Sequence, residues 1–530
     1  MPDTPVSARG GDALRLSQAL ERAARLRGRE EAVVDGERRF TWAEFKARVE
    51  RLAGALRGLG LEPGGRVAML AHNSHRYLEF YFGVPWAGGV FTPLNTRLAV
   101  PELAAILRDC GAEILIVDEA HAPLVPELAR LAPLRRLVLG ADGPVPDGFV
   151  GYEAMLAAAV PLADAGRGGD DIAALFYTSG STGAPKGVMH THANIMYCAV
   201  MCAAAVKLDE EATSLICGPL FHVGAAGACI PAMVTAARVV LLPRFEPAEV
   251  LRAIDEHRVT AMNLVPTMLR MMLDHPTAGE RDLSSLRMLA YGAAPMPEPL
   301  LNEALQLMPD AQFVHAYGMT ELTASCTALP PRYITSHRHL GKAKSVGRAL
   351  LGLDLAIVDP EDNILGPGET GEIVARGPTV MKGYWGRPDL TAQTLRNGWL
   401  HTGDLGYMDE DGFVFLVDRL KDMIITGGEN VYSTEVEEAL YALPGVAQCA
   451  VIGIPHPKWG ESVHAIVVAG PGAELTEAAI MAHCRGRIAG YKCPRSIEIR
   501  DTALPLSGAN KIDKPALRTP FWAGRGSRLV

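Results

Sequence analysis

Short, almost wholly apolar segments alternate with helical repeats through the first part of the chain, and no other pattern restricts the fold as strongly. From Thr41, the run TWAEFKARVERLAGALRGLG sets Phe45, Val49, Leu52 and Leu56 at helical spacing and closes on glycines. RVAML (66–70) then predicts a buried strand, a helix follows through 77–82, and EILIVD (113–118) and RRLVLG (135–140) repeat the strand signal. Alternation of this kind predicts an α/β fold: a large N-terminal domain of mainly parallel sheets flanked by helices.

From about 352 to 419 the character changes. LDLAIVD, GEIVARG and FVFLVDR are short strands joined by turns such as DPEDN and DEDG, which predicts an antiparallel β subdomain. Beyond Arg419 a helix over 433–443, the strands QCAVIGI and HAIVVAG, a helix from Thr476 and a short strand SIEIR predict a small α+β unit. The expected domains are therefore 1–419 and 420–530, with no low-complexity linker between them, so the boundary is expected to be a tight hinge. A chain of 530 residues is too long for one core, which agrees with that division.

The net charge of −9 is spread along the chain, which excludes a nucleic-acid partner on the ground that phosphate neutralisation needs a concentrated basic surface. Nine cysteines follow no regular framework and point to a reducing compartment. Cys198 and Cys202 share a helix face and are expected to pack as small hydrophobes. The stretch 212–237 is uncharged and long enough for a membrane span, but Pro219, His222, Pro231 and its glycines favour a buried strand, turn and helix. With no secretory signal at the start, a cytoplasmic protein without a membrane span is expected.

The strongest local signal is YTSGSTGAPKG (177–187). An apolar strand, IAALFY, runs into Thr178, Ser179, Gly180, Ser181, Thr182 and Gly183, with Lys186 three residues on. Such a loop offers backbone N–H groups and hydroxyls to phosphate oxygens, and the lysine adds positive charge. The Walker A spacing is not met.

YTSGSTGAPKG resembles the signature phosphate loop of the adenylate-forming superfamily, which comprises acyl-CoA synthetases, peptide-synthetase adenylation domains and luciferases. PLFHVGA (219–225), YGAAP (291–295), YGMTE (317–321), GETGEI (368–373), HTGDLG (401–406), DRLKDMIITGGENVY (418–432) and NKIDK (510–514) follow in the family's order, so the resemblance covers nearly the whole chain. It implies an ATP-dependent acyl-CoA synthetase: a carboxylic acid is activated as its acyl-adenylate and passed to coenzyme A, with release of AMP and pyrophosphate.

The resemblance also implies roles. Gly292, Ala293, Ala294 and Pro295, with Tyr317, Gly318, Met319 and Thr320, would line the adenine site, where small residues let a flat ring approach the backbone. Glu321 and Thr178 would hold Mg²⁺, a hard cation that prefers oxygen ligands. Asp404 would accept from the ribose hydroxyls and Arg419 would be a second nucleotide contact. Lys511 would stabilise the charge that develops when the acid attacks the α-phosphate, and Lys186 would act from the loop side. The family usually has glycine where this chain has Asn510, a residue that tolerates a left-handed turn.

Lys511 belongs to the small domain and the phosphate loop to the large one, so the site implies domain closure. Lys421 matches the family's hinge. After rotation, Gly427, Gly428 and Glu429 would line the pantetheine channel. His222, Val223, Gly224 and Ala225, with Gly318, would border the acyl pocket, His222 as a wall or gate. Neither VGAAGA (223–228) nor NLVPTM (263–268) carries a cation for a second carboxylate, so a monocarboxylic acid is expected, with medium- or long-chain fatty acids preferred to aromatic ones. The other readings are an aryl-CoA ligase, an adenylation enzyme serving a carrier protein, and a catalytically silent nucleotide-binding regulator. The absence of a carrier segment after Lys511 favours soluble CoA; a homodimer stays open.

Overall fold

The computed structural model describes residues 13–179, 185–294, 296–470, 472–506 and 511–523. Among these, two large sheets lie in the first part of the chain. One has eight strands, and its centre (Val90–Pro93, Arg66–Leu70, Ile114–Asp118 and Arg136–Gly140) is parallel. The hairpin Ile172–Ser179/Pro185–Thr191 extends it on one side, its first strand parallel to Val90–Pro93 and its second antiparallel to the first. The other has nine strands, with Glu31–Asp35, Arg238–Leu241, Thr213–Ile216, Ala261–Leu264, Met288–Gly292 and Gln312–Tyr317 side by side and parallel. This is the α/β architecture that the strand–helix alternation predicts.

The helix Trp42–Gly58 starts where its sequence dictates. The Thr41 hydroxyl accepts from the Glu44 N–H (3.3 Å), and the Glu44 carboxylate accepts from the Thr41 N–H (2.8 Å), a reciprocal cap. The neighbouring helix His75–Trp86 is longer than 77–82 because all twelve of its residues are buried. Sandwiched between the sheets, it has no solvent face and hence no amphipathic stripe for a sequence pattern to display. Its one acid, Glu79, is fully buried but satisfied: Arg48 Nε donates at 2.5 Å and the Tyr152 hydroxyl at 2.7 Å.

The stretch 212–237 divides into the strand Thr213–Ile216 and the helix Val223–Thr235, with Pro231 inside it. No helix among the described residues is long and apolar enough to cross a membrane. Cys198 and Cys202 do share a face of helix His192–Ala205, with sulfurs 3.8 Å apart.

The third sheet is antiparallel and built from Asp354–Val358, Gly371–Arg376, Trp399–Met408, Leu395–Arg396 and Val414–Arg419. The fourth holds Ile424–Thr426, Glu429–Val431, Val446–His456, Gly460–Ala469 and Ser496–Arg500. Cys449 and Val451 pack with the helices Ser433–Tyr441 and Glu477–Arg485 on one face, and Ala450 and Ile452 pack with Leu517 on the other. Both faces are covered, so the strand reads as a continuous apolar run. Leu517 lies on a final helix, Lys514–Trp522, that the sequence analysis did not predict; Pro515 and Pro520 interrupt its helical signal.

Candidate active site

The motif-bearing residues collect at strand ends that face one cleft of about 2910 Å³, lined by Thr178, Lys186, His222, Tyr317, Asp404 and Lys511 among others. A single small-molecule site occupies about 300–1,000 Å³, so this cleft has room for more than one substrate.

At one part of the cleft, Asp404 and Arg419 stand opposite each other on adjacent antiparallel strands, with Arg419 Nε 3.3 Å from the carboxylate. The second carboxylate oxygen accepts from the Tyr317 hydroxyl at 2.7 Å. Buried and held from two sides, Asp404 has a fixed direction. Gly292, Ala293, Ala294, Gly318, Met319 and Thr320 also line the cleft. The reason for glycine at 318 differs from the expected one. A Cβ there would come within 1.9 Å of the Ala324 carbonyl oxygen, so the chain's own backbone excludes it. Tyr291 stacks on His315 (centroids 4.7 Å apart, planes 12° apart), whose Nδ1 meets the Ser345 carbonyl at 3.1 Å.

Glu321 sits in a short helical turn, Thr320–Leu322, and is buried. Its Oε1 accepts from the Tyr384 hydroxyl at 2.7 Å, and among the described residues Oε2 receives no hydrogen bond. Lys186 Nζ lies 5.6 Å from the Tyr384 ring centre, a cation–π distance, and Thr178 pairs with Lys186 across the hairpin. Tyr384 thus links the acid to the lysine. It carries no motif signal, because Glu321 is 63 residues away in sequence. Next to it, His190 Nε2 donates to the Thr320 carbonyl (2.7 Å), while burial lowers that imidazole's pKa to about 4 and keeps it neutral.

His222 has a structural task as well as a place in the wall. Its Nδ1 accepts from the Gly224 N–H at 3.0 Å and caps the helix Val223–Thr235. Burial, and then the Lys511 charge, bring its pKa down to about 4. Val223, Gly224 and Ala225 line the cleft beside it. Asn263 also lines it, its amide donating weakly to the Gly224 carbonyl (3.4 Å).

Lys511 comes from the other unit. It is half-buried beside Asp404 and Arg419; burial first, then the Arg419 charge, lower its pKa to about 8 against the pull of Asp404. Three residues on, Lys514 Nζ is fixed by Glu437 (2.7 Å) and the Ser433 hydroxyl (2.8 Å). The lysine's loop is thereby tied to the helix Ser433–Tyr441. Lys421 is exposed and lines the cleft.

The hairpin tip is not part of this cleft. Gly427, Gly428 and Glu429 are exposed, and none of them lines it. Gly427 and Gly428 have φ of +63° and +89°, the turn that joins Ile424–Thr426 to Glu429–Val431. A Cβ on Gly427 would also meet the Trp459 ring at 2.7 Å. Gly180, Ser181, Thr182, Gly183, Pro295 and Asn510 lie outside the described residues, and Ser179 is described only as the end of its strand.

The chain matches the models of the AMP-binding enzyme family over residues 20–385 and of the AMP-binding enzyme C-terminal domain over 435–511. It is 43% identical to a feruloyl-CoA synthase of Amycolatopsis sp, covering 94% of this chain and 98% of that one. It is 36% identical to the long-chain-fatty-acid–CoA ligase FadD13 of Mycobacterium tuberculosis, covering 92% and 94%. Among solved structures, the anthranilate CoA ligase AuaEII in complex with anthranoyl-AMP superposes with a TM-score of 0.88 at 28% identity, covering 96% and 97%. A cleft of this composition and near end-to-end matches have one common source: the chain belongs to the AMP-binding, adenylate-forming enzyme family and is an AMP-forming acid–thiol ligase.

Proposed function

We propose that the enzyme activates an aromatic monocarboxylic acid, of the arylpropenoic kind, with ATP and transfers it to CoA. The observation that carries this reading is the contrast between 43% identity to a feruloyl-CoA synthase and 36% to a long-chain-fatty-acid–CoA ligase, each over nearly the full length. It moves the preference from fatty acids to their aromatic alternative. The pocket supports a single carboxylate. Gly224, Ala225, Ala228 and Ala290 are small, and Arg270, a cation that lines the cleft, is engaged by both Asp274 and Glu303.

In this reading the acid's carboxylate oxygen attacks the α-phosphorus, and pyrophosphate leaves. Lys511 and Arg419 face the charge that builds there, and Asp404, aimed by Tyr317, accepts from the ribose hydroxyls. Glu321, with its Oε2 available and its Oε1 held by Tyr384, fits a magnesium ligand, and Thr178 lines the same cleft. A bound Mg²⁺ would neutralise phosphate charge. The thiolate of CoA then attacks the acyl carbonyl and AMP leaves. For that step the unit beyond Lys421 turns and brings Gly427–Glu429 to the cleft.

The test is a panel of cinnamic, benzoic, medium-chain and long-chain fatty acids with ATP, Mg²⁺ and CoA, with AMP, pyrophosphate and thioester followed together. The highest kcat/KM is expected for a cinnamic-type acid. A tenfold preference for a fatty acid would overturn the substrate assignment, and pyrophosphate without thioester would move the acceptor to a carrier protein.

A further inference from the structure

Away from the cleft, His72, Asp118 and His121 bring two imidazoles and a carboxylate together, with one potential ligand atom from each within 4.8 Å of the others. None of the three lines the cleft. They stand at or just past the carboxyl ends of two adjacent parallel strands, Arg66–Leu70 and Ile114–Asp118. From the first strand the chain crosses through helix His75–Trp86 to Val90–Pro93 on one side. From the second it crosses through Val125–Leu131 to Arg136–Gly140 on the other. The connections therefore part at this point, and the crevice between strand ends that diverge in this way is where open parallel sheets receive ligands.

The carboxylate is fixed from the main chain. Its two oxygens accept the His72 N–H (2.8 Å) and the His121 N–H (3.0 Å), so Asp118 is positioned before any ion arrives. Both imidazoles turn Nδ1 toward the same carboxylate, at 3.2 Å for His72 and 2.5 Å for His121, and the rings lie 4.9 Å apart at 49°. In the hydrogen-bonded form each Nδ1 carries its proton. A divalent ion among the three would take both Nδ1 lone pairs and one carboxylate oxygen, and each ring's proton would move from Nδ1 to Nε2. A tetrahedral zinc shell with bonds of about 2.0–2.1 Å has ligand edges of about 3.3 Å, close to the His72 spacing. The side chains of His72, Asp118 and His121 are 38%, 22% and 11% exposed, so an ion can enter and water can complete the shell. The buried Tyr77 hydroxyl, within reach of the Asp118 charge, has no hydrogen-bond partner among the described residues.

We propose that His72, Asp118 and His121 form a binding site for a divalent transition metal, of zinc-like preference, that clasps the two strand-end loops and is separate from the ATP site. Two nitrogens, one oxygen and an open position suit Zn²⁺ or its Co²⁺ substitute better than Mg²⁺.

The experiment is equilibrium dialysis of the chelator-treated full chain against Zn²⁺, with metal content measured per chain, alongside the visible spectrum of the Co²⁺ form. The variants are His72→Ala, His121→Ala and, as a control at an exposed histidine outside the cluster, His337→Ala. About one tightly bound equivalent is expected, weakened more than about tenfold in each of the first two variants and unchanged in the control. No stoichiometric binding, or binding that survives both substitutions, overturns the site. Should the variants lose their fold by circular dichroism, zinc-edge X-ray absorption of the wild-type complex decides: two imidazole nitrogens and no sulfur support the site, and sulfur ligands overturn it.

Discussion

At the scale of single residues, the cleft works by holding charge where it is costly. Lys511 has its pKa brought down to about 8 by burial and by Arg419, so its charge is present below that pH and lost above it. The adenylation half-reaction, followed as pyrophosphate exchange, is therefore expected to fall as pH rises through about 8. In Lys511→Ala the residual rate should drop about 10²- to 10³-fold and lose that limb of the profile. A wild-type profile that stays flat to pH 9 would remove Lys511's charge from the step. Tyr384 makes a second case. Its hydroxyl is the one hydrogen bond that the described residues give the Glu321 carboxylate, so Tyr384→Phe should slow pyrophosphate exchange about tenfold and raise the Mg²⁺ concentration needed for half-maximal rate. An unchanged magnesium dependence would show that the backbone alone aims Glu321.

At the scale of elements, what was legible in the sequence follows from what each element touches. Arg66–Leu70 was readable to the residue because a strand covered on both faces is a continuous apolar run. His75–Trp86 was readable only in its middle, since burial on every side removes the periodic stripe. The ordered motifs located Asp404, Arg419 and Lys511, but Tyr384 and His315 act through partners distant in sequence and leave no local trace. The helix Lys514–Trp522 was hidden by its prolines, yet it anchors the loop of Lys511. Burial opposes the charge on Lys514, but the carboxylates of Glu437, Asp418 and Asp422 outweigh it and raise its pKa. Lys514→Met would leave buried acids uncompensated and should cost about 3–5 kcal/mol. Faster hydrogen exchange confined to residues 424–522 would report it, and unchanged exchange there would count against the anchoring role.

At the scale of the whole molecule, one cleft holds Lys511 while the glycine hairpin at 427–428 faces solvent; in the proposed reading this is the arrangement of the first half-reaction. If Lys421 is the hinge, Lys421→Pro should leave acid-dependent pyrophosphate exchange within about twofold of wild type and reduce thioester formation by about tenfold or more, as restricted closure does in hinged enzymes. Equal loss of both half-reactions would place the pivot elsewhere.

The two large sheets are not consecutive pieces of chain. Glu31–Thr41 contributes to the nine-stranded sheet before the eight-stranded one begins, and Gly383–Tyr384 returns to the eight-stranded sheet afterwards. Val33 pairs with Val239, so during synthesis that strand leaves the ribosome about 200 residues before its parallel neighbour exists. Arg66–Leu70 and Val90–Pro93 can pair early, but Glu31–Asp35 has only its hairpin partner Arg38–Thr41 in the meantime, and its other edge stays open to association. Neither sheet can be complete until Arg348–Ala349 and Gly383–Tyr384 have emerged, so the order of translation bears on the yield of this enzyme as much as its final stability does.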